Sequence, residues 1–262
     1  GTGRPAPASA GPAFENGTLR GDGEVLHLSG DAGDVTIRND GVIRGDISLG
    51  DGDDTVSGEG VFDSEVFLRR GDDTFIGTDN DDFIRGKIGD DVLRGKKGDD
   101  VLIAGYGRDK LYGGAGDDVL IGRRGAEKLF GGKGDDEVRG GRGDDYLRGG
   151  PGDDALYGGF GDDILNGGVG NDVLKGGRGA DTFVMNLRND NDRIRDFDVD
   201  SDRVDLSAFD LAPGTARARI DAAMAETPKG WAELDLTELG GDGTLRFTGV
   251  DPTDAADINF IF

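Results

Sequence analysis

The sequence predicts an all-β fold built as a parallel stack of short coils, and three observations predict it. Residues 68–184 divide without insertion or deletion into thirteen nonapeptides, the signature of one structural unit per repeat. The 262 residues include 51 glycines, enough to turn the chain every few residues. They also include 54 acidic and 30 basic residues, a net charge of -24, with 34% hydrophobic residues, so no ordinary apolar core closes while the carboxylates stay free.

With each unit numbered 1 to 9 from Leu68, position 8 is always apolar, from Phe75 and Ile84 to Leu174 and Phe183. Position 6 is always acidic: Asp73, Asp82, Asp91, Asp100, Asp109, Asp118, Glu127, Asp136, Asp145, Asp154, Asp163, Asp172 and Asp181. Position 4 is Gly in every unit but one, which has Asn80, and positions 1 and 2 are mostly Gly. One inward apolar residue per unit supports a three-residue strand, and the other six residues are expected to turn. Two units then make one coil of strand, turn, strand, turn. Coils about 4.8 Å apart give a stack on the order of 31 Å long.

That stacking sets each position-6 carboxylate roughly 5 Å from the one two units away, a column of anions that repels itself. A hard cation held by oxygen resolves the conflict. Ca2+ takes six to eight oxygens, which the Asp carboxylates and glycine-flanked carbonyls can offer, whereas Mg2+ prefers a smaller, wetter octahedron. The expected ligands are the position-6 Asp side chains named above and the carbonyls of Gly89, Gly98, Gly107, Gly116, Gly134, Gly143, Gly152, Gly161 and Gly170. Pairing each unit with the second one after it gives at most about eleven sites.

The units follow Gly-Gly-x-Gly-x-Asp-x-U-x, with U a large apolar residue, and residues 113–121, Gly-Gly-Ala-Gly-Asp-Asp-Val-Leu-Ile, match it in full. In this the chain resembles the RTX (repeats-in-toxin) calcium-binding proteins. The resemblance implies a right-handed parallel β-roll with calcium between its turns, and a secreted, extracellular or cell-surface protein exported in one step by the type I secretion machinery. Because that family spans proteases, lipases, cytolysins, adhesins and surface-layer proteins, the repeat leaves the cargo open.

Departures from the pattern are informative. Residues 122–130 read Gly-Arg-Arg-Gly-Ala-Glu-Lys-Leu-Phe, and Arg108 replaces a position-5 Asp one coil earlier, so calcium is expected to bind weakly or not at all there. The other position-5 residues, such as Asp72, Asp81, Asp90 and Asp99, are expected to face solvent. Ile103, Tyr112, Ile121 and Phe130 occupy position 9 in successive units; pointing outward, they would form exposed apolar patches and a self-association surface.

Before the array, residues 1–17 read as a flexible lead-in and residues 18–67 as a cap of degenerate repeats, with Asp54 an additional ligand candidate. Residues 35–43 and 47–49 alternate as short strands around Asn-Asp-Gly turns. After it, residues 185–262 form a second cap. Residues 192–197 and 202–207 are expected strands around an acidic turn, and they resemble the segment that follows the repeats in serralysin-type proteases. A short helix is expected over residues 215–226, then strands over 231–239 and 244–248. The last residues, 257–262, run from acidic to apolar and resemble an uncleaved type I secretion signal.

The composition excludes much else. Without Cys there are no disulfides, thiolate zinc sites or cysteine nucleophiles, and one His, His27 in a strand pattern, removes the His-based metal motif and the Ser-His-Asp triad. No phosphate-binding Gly-Lys-Ser/Thr loop, cleavable leader or membrane-length apolar segment is present. So acidic a chain is expected to repel nucleic acid and anionic lipid and to attract divalent cations. Four Arg-Gly-Asp triplets, as at residues 142–144, follow by chance from Gly-Asp repeats preceded by Arg. The reading is thus a non-enzymatic, calcium-binding structural module and export element; the alternative is the calcium-binding part of a larger secreted hydrolase or toxin.

Overall fold

The computed structural model describes residues 13–20, 26–27, 33–211, 216–226 and 231–262. Most of the expected lead-in and Thr215, the expected start of the helix, lie outside the described residues. Among the described residues the chain winds between two sheets of thirteen strands each, and successive strands of the array alternate between the sheets. Within the array the strands of a sheet are parallel and pair with a shift of two units, as in Leu93 with Leu111 and Leu102 with Leu120. This is the coil expected from the period.

The strands are longer than expected. In the regular array most have six residues, such as Val92–Lys97, Lys128–Lys133 and Ile164–Val169. Each runs through positions 7 to 9 and on through 1 to 3 of the next unit, because positions 2 and 3 also find in-register partners: Lys96 with Gly114, Lys97 with Ala115. Bonding along the ladder therefore continues past the single apolar residue, and only positions 4 to 6 turn. Gly116 makes such a turn at φ 135°, where a Cβ would lie 2.1 Å from the Gly98 carbonyl oxygen of the preceding coil. No other residue fits there.

Position 8 fills the space between the sheets. Leu93, Leu102, Leu111, Leu120 and Leu129 are all 0% exposed, each contributing roughly 1.5–3 kcal/mol by burial. Rings close both ends of this column: Phe62 packs on Phe75, and Phe197 packs on Phe183 and Phe247.

The flanks differ from expectation in three places. Residues 36–44 form one strand, Thr36–Arg44, rather than two around an Asn-Asp-Gly turn. Parallel neighbours bond it on either side of Asn39, whose side chain spans the irregularity by accepting from Gly41 N–H and donating to the Val61 carbonyl. The helix covers only Ala216–Ala223; Met224–Glu226 instead pairs antiparallel with Ala232–Asp235, which pairs with Asp242–Phe247. Thr237–Leu239, expected to extend a strand, is a 3-10 turn capped by Gly240 at φ 99°. Asn259–Ile261 adds a last parallel strand beside Arg203–Asp205.

The position-9 residues are also less exposed than expected. Ile103 is buried beside its partner Ile121, and on the other sheet Tyr112 stacks on Phe130 at 5.1 Å with Arg94 over its ring. In-register neighbours of the same kind cover one another.

Leu120→Ala should cost about 2–5 kcal/mol, read from the urea midpoint in excess calcium, because the column cannot collapse around a missing isopropyl group. The exposed Lys128→Ala should stay within about 0.5 kcal/mol.

Candidate metal centre

Three-residue turns lie along both edges of the roll, and each buries one carboxylate. The position-6 side chains from Asp73 to Asp181 are all 2% exposed or less, and Asp54 at 1% joins them. In each ladder one oxygen accepts a backbone N–H from the neighbouring coil: Asp73 N–H donates to Asp91 Oδ1 at 3.0 Å, and Asp91 N–H to Asp109 Oδ1 at 2.8 Å. On the opposite edge Asp82, Asp100, Asp118, Asp136 and Asp154 repeat the bond at 2.8–2.9 Å. The second oxygen is buried and has no hydrogen-bond partner, in every unit from Asp54 Oδ2 to Asp181 Oδ2. Asp82 is reversed, with Oδ2 taking the Thr78 N–H and hydroxyl and Oδ1 left over.

Position 1 must be small for the same reason. A Cβ on Gly113 would meet Asp118 Oδ2 at 2.2 Å and the Gly131 carbonyl oxygen at 2.6 Å. Gly149 and Gly158 have the same two neighbours, a carboxylate oxygen of their own unit and the position-1 carbonyl of the next coil. The unpartnered oxygen and a carbonyl thus converge over the position-1 glycine. The carbonyls expected from the sequence are those of position 4; the one beside the free carboxylate oxygen here is that of position 1. The position-4 carbonyls run along the roll, as with Gly98 against Gly116.

Among the described residues no three acidic or imidazole side chains form a metal cluster. A cation here would therefore draw on main-chain carbonyls as well as on one carboxylate per turn. The donor set is all oxygen, anionic and dehydrated, which fits calcium.

Burial, the largest cause, raises these carboxyl groups well above the usual range, with neighbouring carboxylates adding and backbone hydrogen bonds opposing. Asp73, Asp100, Asp154 and Asp163 reach about 8, and Asp91 and Asp136 about 7. Glu127 breaks its ladder. Both its oxygens are buried without hydrogen-bond partners, and its carboxyl is pushed up to about 10 by burial and by Asp145 beside it. The position-5 aspartate is missing here too: Ala126 stands in the turn of Glu127 itself and Arg108 one coil earlier, where Asp72, Asp90, Asp144 and Asp162 stand in other turns of this edge.

Two carboxylates of the C-terminal cap extend the columns, one of them, Asp202, at the end of the acidic turn expected over residues 198–202 as a further calcium site and the other, Asp192, outside the expected ligands. Asp192 Oδ1 accepts Asp172 N–H and Asp202 Oδ1 accepts Asp181 N–H, so both columns continue into the C-terminal cap. Their separations are 20 and 21 residues instead of 18, which hides them from a search for a fixed period. The position-5 aspartates are exposed as expected, and they also accept across coils, as Asp99 does from Asp117 N–H.

A profile of the RTX calcium-binding nonapeptide repeat matches the chain four times, over residues 69–102, 95–126, 121–156 and 148–183. No curated protein matches the chain. Among solved structures, the AlgE6R3 subunit of the Azotobacter vinelandii mannuronan C5-epimerase is 36% identical, with a TM-score of 0.40 over 50% of this chain and 79% of that one. The extracellular lipase LipA of Serratia marcescens is 19% identical with a TM-score of 0.40, and the match covers 77% of this chain but only 40% of the lipase.

An unfolded carboxylate titrates near 3.9, so between there and the raised values the folded chain holds more protons and stability falls as pH rises. Metal-free protein should therefore lose its β circular dichroism signal as pH climbs from about 4 to about 8. A melting temperature that rises with pH across that interval would contradict this. Glu127→Asp should give Asp109 N–H a carboxylate acceptor again and raise the melting temperature in calcium.

Proposed function

Residues 69–183 belong to the RTX family of calcium-binding nonapeptide repeats, and from that premise we propose that the chain is a secreted module, unfolded where calcium is scarce and folded where it is abundant. One observation carries this reading: two columns of buried carboxylate oxygens with no hydrogen-bond partner. Such columns are costly as anions in a metal-free roll, since each charge is desolvated and faces another one coil away.

The residues that would hold calcium are the position-6 aspartates from Asp54 through Asp181, except at Glu127, together with turn carbonyls at positions 1 and 4. Bound calcium supplies the positive charge these turns lack, and its binding free energy becomes folding free energy. The aspartates hold the turns through Oδ1 and leave the other oxygen to the ion. The position-1 glycines keep the space open, and the position-8 column locks the coils once the turns form. The role we assign is structural and binding, because the recurring chemistry of the array is one oxygen-donor set.

Export fits the same sequence of events. Residues 257–262, which resemble a type I secretion signal, include a strand bonded to Arg203–Asp205 with Phe260 buried. A signal held in that way is presented to a channel only before folding, so low calcium inside the cell and high calcium outside would order the two steps.

The test is calcium titration of chelator-stripped protein at pH 8, followed by far-ultraviolet circular dichroism with magnesium as control. A cooperative gain of β signal is expected with calcium alone. Asp118→Asn should raise the calcium midpoint, whereas Asp117→Asn, which keeps the accepting Oδ1, should leave it nearly unchanged. An identical β spectrum in excess chelator would overturn the reading.

A further inference from the structure

The net charge hides a division of the surface. Along the second sheet, from Val66–Arg70 to Val173–Arg178, the strands contain one acidic residue, Glu137, and Arg139 pairs with it. Position 3 on that sheet forms an in-register row in which Tyr106, Arg124, Arg142, Phe160 and Arg178 follow one another, one per coil. The rings are exposed, Tyr106 at 54% and Phe160 at 47%. Guanidinium groups lie over them: Arg124 is 5.4 Å from the Tyr106 centroid, and Arg142 and Arg178 are 5.5 and 5.4 Å from that of Phe160. Tyr106, Arg124, Arg142 and Phe160 line a groove of about 540 Å³ with Ile121 and Arg123.

Two further features mark the middle of this row. Arg123 sits at φ 98°, a conformation that costs an L-residue strain and that it shares with Arg69 and Lys87 farther along the sheet, whereas glycine occupies the same position in the adjacent coils. The adjoining turn edge also loses its aspartates there: the position-5 residues that follow Tyr106 and Arg124 are Arg108 and Ala126. The acidic rim opens where the cations gather.

We propose that this stripe binds a linear acidic polysaccharide, a chain of hexuronate units lying along the roll axis. A uronate unit carries a carboxylate for a guanidinium and an apolar C–H side for an aromatic ring face, and Tyr106 has a guanidinium over it from one row neighbour, Arg124, its other neighbour being Ile88. The coil repeat of about 4.8 Å is close to the length of one sugar in an extended chain. A nucleic acid duplex on a face six residues wide would press other phosphates against the far row of Asp81, Asp99, Asp117, Asp135 and Asp153. Single-stranded bases stack on successive ring faces, whereas in this row Phe160 has Arg142 and Arg178 over it and Tyr106 lies three coils away. The aspartate edge of a second copy would satisfy the cations and leave the rings without an apolar partner.

The experiment is calorimetric titration of the calcium-loaded full chain with an oligoglucuronate too short to gel with calcium. A neutral cello-oligosaccharide and oligothymidylate serve as comparisons. Salt-sensitive binding of the oligoglucuronate alone is expected. Arg124→Gln and Arg142→Gln should each weaken it by about tenfold, while Arg94→Gln on the other sheet should not. Circular dichroism of the same samples reports the roll separately, so absent saccharide binding by a chain that folds on calcium counts against this site and leaves the calcium reading standing. Absence of binding, equal affinity for oligothymidylate, unchanged affinity in both stripe variants, or self-association that Arg142→Gln abolishes would each overturn the assignment.

Discussion

Everything in this roll depends on how a buried aspartate divides its two oxygens. One accepts a hydrogen bond from the preceding coil and so fixes the spacing of the stack; the other is left in a dry turn with no donor. The first bond makes the carboxylate indispensable to the fold, and the second oxygen makes the fold electrostatically unfavourable without a counter-charge. A protein built this way couples structure to its ionic surroundings, because the group that organises each turn also penalises it. The raised pKa values of Asp73, Asp100 and Asp154 express that penalty: a proton is the weaker substitute for a cation.

The glycines take their meaning from the same carboxylates. At position 4 the requirement is conformational, as at Gly116, where both φ and the preceding carbonyl exclude a side chain. At position 1 it is spatial, because the aspartate oxygen and a carbonyl already occupy the place of a Cβ, as over Gly113. The hydrophobic contribution is narrow by comparison, one residue per unit. The stack therefore needs its rings at both ends and a C-terminal cap with an antiparallel turn to finish the second sheet.

Charge is distributed as unevenly as hydrophobicity. The turns collect the acids and the sheet faces collect the arginines and lysines, some of them over aromatic rings. Net charge predicts that polyanions are repelled, which holds for a sphere of uniform charge. A two-faced roll with acidic edges presents a cationic strip to a ligand narrow enough to stay between the edges.

The period, the two-unit coil, the inward position-8 column and the position-6 acids can all be read from the chain alone, because a strict repeat makes each of them visible in one dimension. The same repeat also marks the irregular coil at Glu127. Which oxygen of Asp91 or Asp118 is left free, the position-1 carbonyl that shares its space, and the entry of Asp192 and Asp202 into the columns across longer loops emerge only when the coils are stacked. Those facts arise from contacts between coils, where a residue's partner lies 18 to 21 positions away and a change in loop length erases the pattern. The length of the strands was likewise settled between neighbours. Glycine and lysine at positions 2 and 3 carry no apolar signal, yet they complete the ladder because an identical backbone lies in register beside them.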